Sequence, residues 1–521
     1  MKETYKEMEY QISDKAKKVT LGLSFIGLIM VVIGFFQQKD YIYAEYINEH
    51  SLSIKYNGDA SDEMQENLKA NMVSMLSEKG YTIDFHDAAH GHDQDHHAAE
   101  DASENHHEAH DHHGPTFLWE AHLAAANHDE SAHDAHHENM SKSLVEMIES
   151  GEISFFDTHH RRFWSNLLVN GFFFFGIALG ALFYLALHYA TESGWGVVLL
   201  RLMEGIMSAM PVGIVVLLIV FIAGSLGMHH IYPWMDADVM DPNSSHFDKI
   251  IWGKKAYLNQ PFFYIRVVAY FATFYLFMRW FKKKSRQEDE EGGTQTHFTM
   301  YRRAALFLVF FAVFSSTMSW DFLMSIDTHW FSTLYGWYVF SGIWLSGMVM
   351  LMMITLYLRK GGYLPHVKES HIHDVGKWMF ALSFLWSYLW FSQFMLIWYS
   401  NIPEEAQYFI SRIEDYKFLF FGTFFINFFF PMVFLMSADT KRSAGYLIVI
   451  GLIIFIGHWL DVFNLVMPGT LFDQWNFGML EIGMFMMFLG LFVFTVLRAL
   501  GKAPLLQKNH PFLSESKHHE F

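Results

Sequence analysis

The feature that most constrains this chain is a stretch of about 20 apolar residues that recurs along nearly its whole length. The first is Val19–Phe36. Nine more follow at Phe163–Tyr189, Ser208–Leu226, Phe262–Phe281, Ala304–Ser325, Leu334–Leu358, Val375–Trp398, Phe418–Ser437, Tyr446–Val466 and Phe477–Leu497. In hydrocarbon a segment must satisfy its backbone groups internally, so runs of this length become helices. The sequence therefore predicts an all-α polytopic membrane protein with about ten transmembrane helices. Trp195–Gly205 reads as an interfacial lead-in to the third span.

Lysines stay cytoplasmic, and Lys2, Lys6, Lys15, Lys17 and Lys18 precede the first span, so residues 1–18 are placed inside. No cleavage signature is visible, and 19–36 reads as an uncleaved anchor. An even number of spans returns the tail, 498–521, to the same side. Lys282, Lys283, Lys284 and Arg286, then Arg359, Lys360 and Lys368, then Lys441 and Arg442, fall in expected inner loops; Lys249, Lys254 and Lys255 break the pattern on the outer side. Both termini cytoplasmic, in a multi-pass protein of the cytoplasmic membrane, is the reading this gives.

Between the first two spans, residues 37–162 must lie outside. Tyr41–Phe85 carries Met64, Leu68, Met72 and Met75 at helical spacing and reads as a small ordered cap or a helical arm. Residues 86–137 hold fifteen histidines and twelve Asp/Glu, with no Lys or Arg between Lys79 and Lys142. Such composition cannot bury enough apolar surface to offset its ordering entropy, so disorder is expected. Loose divalent-metal binding is open to His96, His97, His106, His107, His112 and His113. The competing reading is an insertion tolerated in a surface loop. Ser141–Phe156 reads as a short amphipathic helix.

Cysteine is absent, which excludes iron–sulfur ligation by thiolates, c-type haem attachment, disulfides and thiol catalysis on this chain. No Walker loop, dinucleotide fingerprint or nucleophile elbow is present; GGTQTH at Gly292–His297 lacks the Gly-Lys-Ser/Thr ending. The basic residues are dispersed, which argues against nucleic acid. No catalytic residue is assigned.

Polar groups inside apolar spans carry what chemistry there is, because each costs roughly 2.5–3.5 kcal/mol at a span's centre on insertion scales. Asp321, Asp327 and His329 sit at the seam between two spans, ringed by Trp320, Trp330, Tyr335 and Trp337. Asp321 lies about 9 Å deeper than Asp327 at ~1.5 Å per residue. With Ser315, Ser316 and Ser319 it offers either a stepped proton path or helix-packing contacts. His458 and Asp461 share a face at i, i+3 near mid-span. Asp374 and Lys377 do the same at the inner side, where Asp374 is either a helix cap or a proton entry. Arg201 and Glu204 are spaced to pair. A lone mid-span histidine argues against b-type haem, which takes two axial ligands. Pro211 and Pro431 free the carbonyls of Met207 and Asn427. Gly171, Gly176 and Gly180 favour a close helix contact.

MSIDTHWFSTLYG (Met324–Gly336), HDVGKWMFALSFLWSYLWFSQFMLIWYSNIPEE (His373–Glu405) and RRFWSNLLVNGFFFFGIALGALF (Arg161–Phe183) together resemble the second large membrane subunit of alternative complex III, a bacterial quinol:cytochrome c oxidoreductase. The likeness runs from Arg161 to Arg498. The subunit is similar to the NrfD/polysulfide-reductase membrane-anchor family. The resemblance implies two four-helix bundles, 163–325 and 334–466, with the first helix and the last, 477–497, peripheral. It implies a bacterial inner-membrane complex whose haem c and iron–sulfur clusters sit on partner chains: a sister NrfD-like membrane subunit, a periplasmic iron–sulfur subunit, multihaem and monohaem cytochromes c, and a terminal oxidase in a larger assembly. On this chain it implies no covalent cofactor, contacts with menaquinol and lipids, and a proton path through Asp321, Asp327, His329, His458, Asp461, Asp374 and Lys377. Thr328 stands where that pattern carries proline, and the histidine-rich insertion departs from it. Two other readings compete: a divalent-metal transporter fed by the histidine-rich loop, and a purely structural scaffold.

Overall fold

A computed structural model describes residues 10–36, 42–48, 51–57, 69, 73, 81–87, 116–125 and 158–520, save 245, 246, 472–474 and 476. The chain divides into two units, 37–160 and the rest.

The larger unit is helical, with ten helices among the described residues long and apolar enough to cross a membrane. They are α1 Asp14–Phe36, α2 Arg161–Ala190, α3 Val197–Ser225, α4 Gln260–Glu291, α5 Gln295–Ile326, α6 Leu334–Lys360, α7 Glu369–Ser400, α8 Lys417–Leu435, α9 Ala444–Leu471 and α10 Met479–Leu500. These match the ten expected spans, with two differences. Trp195–Gly205 is not an interfacial approach: from Val197 it belongs to α3, and its helix Leu200–Met207 is wholly buried. The helices α4 and α5 run on past their apolar windows: at ~1.5 Å per residue, 32 residues reach about 48 Å, well beyond a ~30 Å hydrocarbon core.

Burial tells which helices are central. The apolar window of α2 is 94% buried and that of α6 78%, against 22% for α1. They cross backbone to backbone at Gly180 and Gly347, where a Cβ on Gly180 would sit 2.5 Å from the Ile343 carbonyl oxygen. The small residues expected to permit a close contact do so here. At the periphery α1 packs along α10 through Gly27, Gly34, Gly483 and Gly490; a Cβ on Gly27 would meet Met487 N at 2.4 Å. Ser24 donates to the Met487 carbonyl across the same seam. The Tyr10 carbonyl lies beside Gly501, so the two ends of this unit share one face of the bundle.

Proline breaks two spans. In α3 the helix interrupts at Ser208–Ala209, just before Pro211, and resumes at Met210. In α8 a π-turn at Phe425–Phe429 precedes Pro431. It pushes the Asn427 side chain against α9, where Gly457 leaves room for it.

The unit 37–160 holds a four-stranded antiparallel sheet: β1 Ile42–Asn48, β2 Ser51–Asn57, β3 Tyr81–Asp87 and β4 Thr116–Ala125, in the order β1-β2-β4-β3. Ile54 faces Trp119 and Ile83 faces Leu123 in the register. Within Tyr41–Phe85, expected as an ordered cap or a helical arm, the described residues form strands at the ends and Lys69 and Val73 are helical; Met64, Leu68, Met72 and Met75 lie outside the described residues. Disorder throughout 86–137 is corrected by β4: within that acidic, histidine-rich composition, TFLWEAHLAA is a ten-residue apolar run rich enough to pair. His96, His97, His106, His107, His112, His113 and Ser141–Phe156 lie outside the described residues.

Candidate functional site

Two buried carboxylates, one on the fourth helix of each bundle, organise the polar interior. They are Asp321 on α5 and Asp461 on α9.

Asp321 is fully buried and its two oxygens accept a fork from Arg266 on α4, Nε to Oδ2 at 2.8 Å and Nη2 to Oδ1 at 2.9 Å. Tyr270 adds a hydroxyl donor at 2.8 Å. The guanidinium is held by the Tyr257 carbonyl at 3.0 Å and lies 3.9 Å from the Tyr257 ring centroid. This is a closed ion pair: each oxygen is taken and the counter-charge is on the spot. The stepped path expected along α5 does not form. Ser319 donates to the Ser315 carbonyl and Ser325 to the Asp321 carbonyl, one turn back in each case, rather than to a carboxylate. Asp327 turns away and pairs with Arg412 at 3.1 Å, on the helix Pro403–Glu414 between α7 and α8. His329 is half-exposed and bonds Asp248 at 2.6 Å. Asp248 also caps the short helix Lys249–Gly253. Burial pushes its carboxyl up, but the Ile251 N–H, His329 and the Ile250 N–H together hold it below the ordinary carboxylate range.

Among the described residues no arginine or lysine pairs with Asp461. Tyr338 on α6 donates a short hydrogen bond to one oxygen and Trp386 on α7 donates its indole N–H to the other at 2.9 Å. His458 approaches the same oxygen at 3.8 Å and stands edge-on to the Trp386 ring. Both His458 ring nitrogens are buried without a hydrogen-bond partner among the described residues. Two cavities flank Asp461, each of about 20 Å³. One opens toward Gln393, Asn464, Tyr408 and Arg412; the other toward Gly342, Ser346, Gly176 and His458. A site of that size holds a water or two and is too small for a quinone ring. Among the described residues Gln393 Oε1 and Asn464 Oδ1 are buried without a hydrogen-bond partner.

From Asp461 the polar groups continue toward the α5–α6 turn and the helix Pro403–Glu414. Arg412 is buried, donates to the Asn464 carbonyl at 3.2 Å and reaches the half-buried Asp327. Its guanidinium covers the Tyr408 ring at 3.4 Å, and Trp330 stacks on the other side of that ring at 3.8 Å. In the opposite direction α7 carries Trp378 and Asp374, the latter about 18 Å from Trp386 along the helix. Trp378 packs on Trp344 and Tyr184, whose hydroxyl is buried and unpartnered among the described residues. Asp374 is not the helix cap, since α7 begins at Glu369; it is held by Lys377 at 2.5 Å and by His519 of the tail at 2.6 Å. The Arg201–Glu204 pair forms at 2.9 Å, within a buried network with Ser285, Asp289 and Gln507.

The structure thus joins Asp327, Asp461 and His458 around one bundle and sets Asp321 apart. Sequence reasoning missed the partners that decide this. Arg266 sat unremarked inside the apolar span Phe262–Phe281, where a lone cation requires an acid. Arg412 lies outside every apolar run and carries no local signal of its burial. Tyr338 and Trp386 carry no signal beyond being aromatic. No family model matches this chain and no curated protein matches its sequence.

Proposed function

We propose that this chain is the proton-conducting membrane subunit of a bacterial quinol:cytochrome c oxidoreductase of the alternative complex III type. Quinol oxidation belongs to its partners: a sister membrane subunit, a periplasmic iron–sulfur subunit and cytochromes c. The reading rests on the three long motifs for the assembly and on Asp461 for the conduction. A buried carboxylic group with neutral partners, an unpartnered imidazole beside it and water-sized cavities on both sides can load and release a proton without breaking an ion pair. Asp327 and Arg412 form the outer mouth; Trp386, Trp378, Asp374 and Lys377 mark the inner half. Asp321 serves as a structural ion pair.

The transporter reading lacks its site. It needs several ligands converging in mid-span. Among the described residues His458 and Asp461 are there, and both Asp461 oxygens are already engaged. Affinity purification in mild detergent with a reduced-minus-oxidised spectrum tests the assembly. A c-type haem band with several partner chains is expected, because this chain has no cysteine to attach such haem. A haem-free preparation, stable alone, would discard the assignment.

A further inference from the structure

At the inner end of the first bundle lies a cluster that the proton path does not use. Glu288 ends the long α4 and His297 begins α5; the turn between them is Gly292-Gly293, both at positive φ, +66° and +76°. That turn folds the two helices back on each other and brings residues nine apart in sequence to 3.6 Å, His297 Nδ1 to Glu288 Oε1. The C-terminal tail supplies the third member. Lys508 N–H donates to Asp289 Oδ1 at 2.8 Å, Asn509 donates to the Asp289 carbonyl at 2.7 Å, and Gln507 donates to Ser285 Oγ at 2.7 Å. Pinned this way, the tail sets His510 with its ring centroid 4.9 Å from that of His297.

Glu288 is 0% and His297 3% exposed, and His510 is buried too. Yet both Glu288 oxygens and both His297 nitrogens lack a hydrogen-bond partner among the described residues. Four unsatisfied polar atoms in one dry place carry a substantial desolvation cost. One ligand atom from each of the three residues lies within 4.8 Å of the others. Ligands at ~2.1 Å around a tetrahedral ion are ~3.4 Å apart, so a small inward movement closes the site. His510 Nδ1 accepts the Phe512 N–H at 3.2 Å, which orients the ring and leaves Nε2 for a cation. Tyr189 and Phe512 wall the site.

We propose that Glu288, His297 and His510 bind one divalent transition cation of the zinc class, which clasps the C-terminal tail to the α4–α5 turn. Three protein ligands leave a fourth position for water. The imidazole and carboxylate set suits zinc and disfavours calcium or magnesium, which take oxygen shells.

The test loads the whole purified protein with zinc and strips weakly held metal, including any on the histidine-rich segment, with a competing chelator of micromolar affinity. One zinc per chain should remain. His297→Gln and His510→Gln should each lower it at least tenfold. Zinc-edge X-ray absorption on the unsubstituted protein should show two imidazoles and oxygen ligands, a readout that needs no variant. No zinc retained by the unsubstituted protein, retention unchanged in a folded His510→Gln, or a shell without two imidazoles would each overturn the proposal. The first of those outcomes would leave the cluster as a histidine–glutamate ion pair.

Discussion

The two bundles place an aspartate on the fourth helix, and chemistry separates them. In the first bundle Asp321 faces a guanidinium that matches it oxygen for oxygen. In the second, Asp461 faces a phenol, an indole and an imidazole, and has room for water on either side. The lesson is that an acid inside a span is not evidence of conduction. A carboxylate with its own arginine is held in an ion pair, and removing either partner leaves a buried charge uncompensated. A carboxylate with neutral partners has no such commitment.

The largest effect expected is on stability in the first bundle. Arg266→Met strands Asp321 and should cost about 3–5 kcal/mol, read as a marked fall in the detergent melting temperature. Asp461→Asn should cost far less, because the amide oxygen can still accept the Trp386 indole N–H while the amide NH2 donates to the Tyr338 hydroxyl oxygen. Equal losses at both sites would erase the distinction.

Acid should also separate the segment 226–259 from the helix Pro403–Glu414. His229 follows the end of α3, held by the Val220 carbonyl at 2.9 Å. Burial lowers its pKa to about 4, so the folded protein keeps it neutral. Between its ordinary value near 6.5 and 4 the unfolded chain takes up a proton that the folded chain refuses. Its contribution is therefore complete above pH 6.5 and declines as pH falls toward 4, by about 3 kcal/mol in all. Hydrogen exchange should rise in 226–259 over that window while Pro403–Glu414 stays protected; simultaneous opening would contradict this.

The smallest structural change aims at the cavity. A Cβ on Gly342 would meet His458 Nδ1 at 3.5 Å and Asp461 Oδ2 at 3.7 Å, ordinary contacts. Gly342→Ala should leave the melting temperature within a degree or two of the parent, since the added methyl fits, while taking the place of water beside Asp461 and slowing proton flux severalfold. Unchanged flux would mean that this cavity is not on the route.

Much of this architecture was legible before any coordinates. Ten apolar runs give ten spans because lipid leaves a buried backbone one local solution, and Gly180 announced its crossing because only a missing side chain permits it. Asp461 and His458 were legible as polar groups without evident compensation. What stayed hidden was pairing across helices. Nothing local says that Arg266 reaches Asp321, 55 residues away, or that Arg412 spans to Asp327 from another element. The strand β4 was masked by average composition, and Glu288, His297 and His510 by their separation in sequence. The Gly292-Gly293 turn was the one visible clue, read for phosphate rather than for what it brings together.

The most direct test of the contrast is proton flux through the purified assembly in liposomes, with Asp461→Asn and Asp321→Asn compared at equal folded protein. The account predicts that Asp461→Asn, still assembled, loses at least tenfold in flux, while any Asp321→Asn protein that remains folded keeps it. Full flux in Asp461→Asn, or loss confined to folded Asp321→Asn, would contradict it.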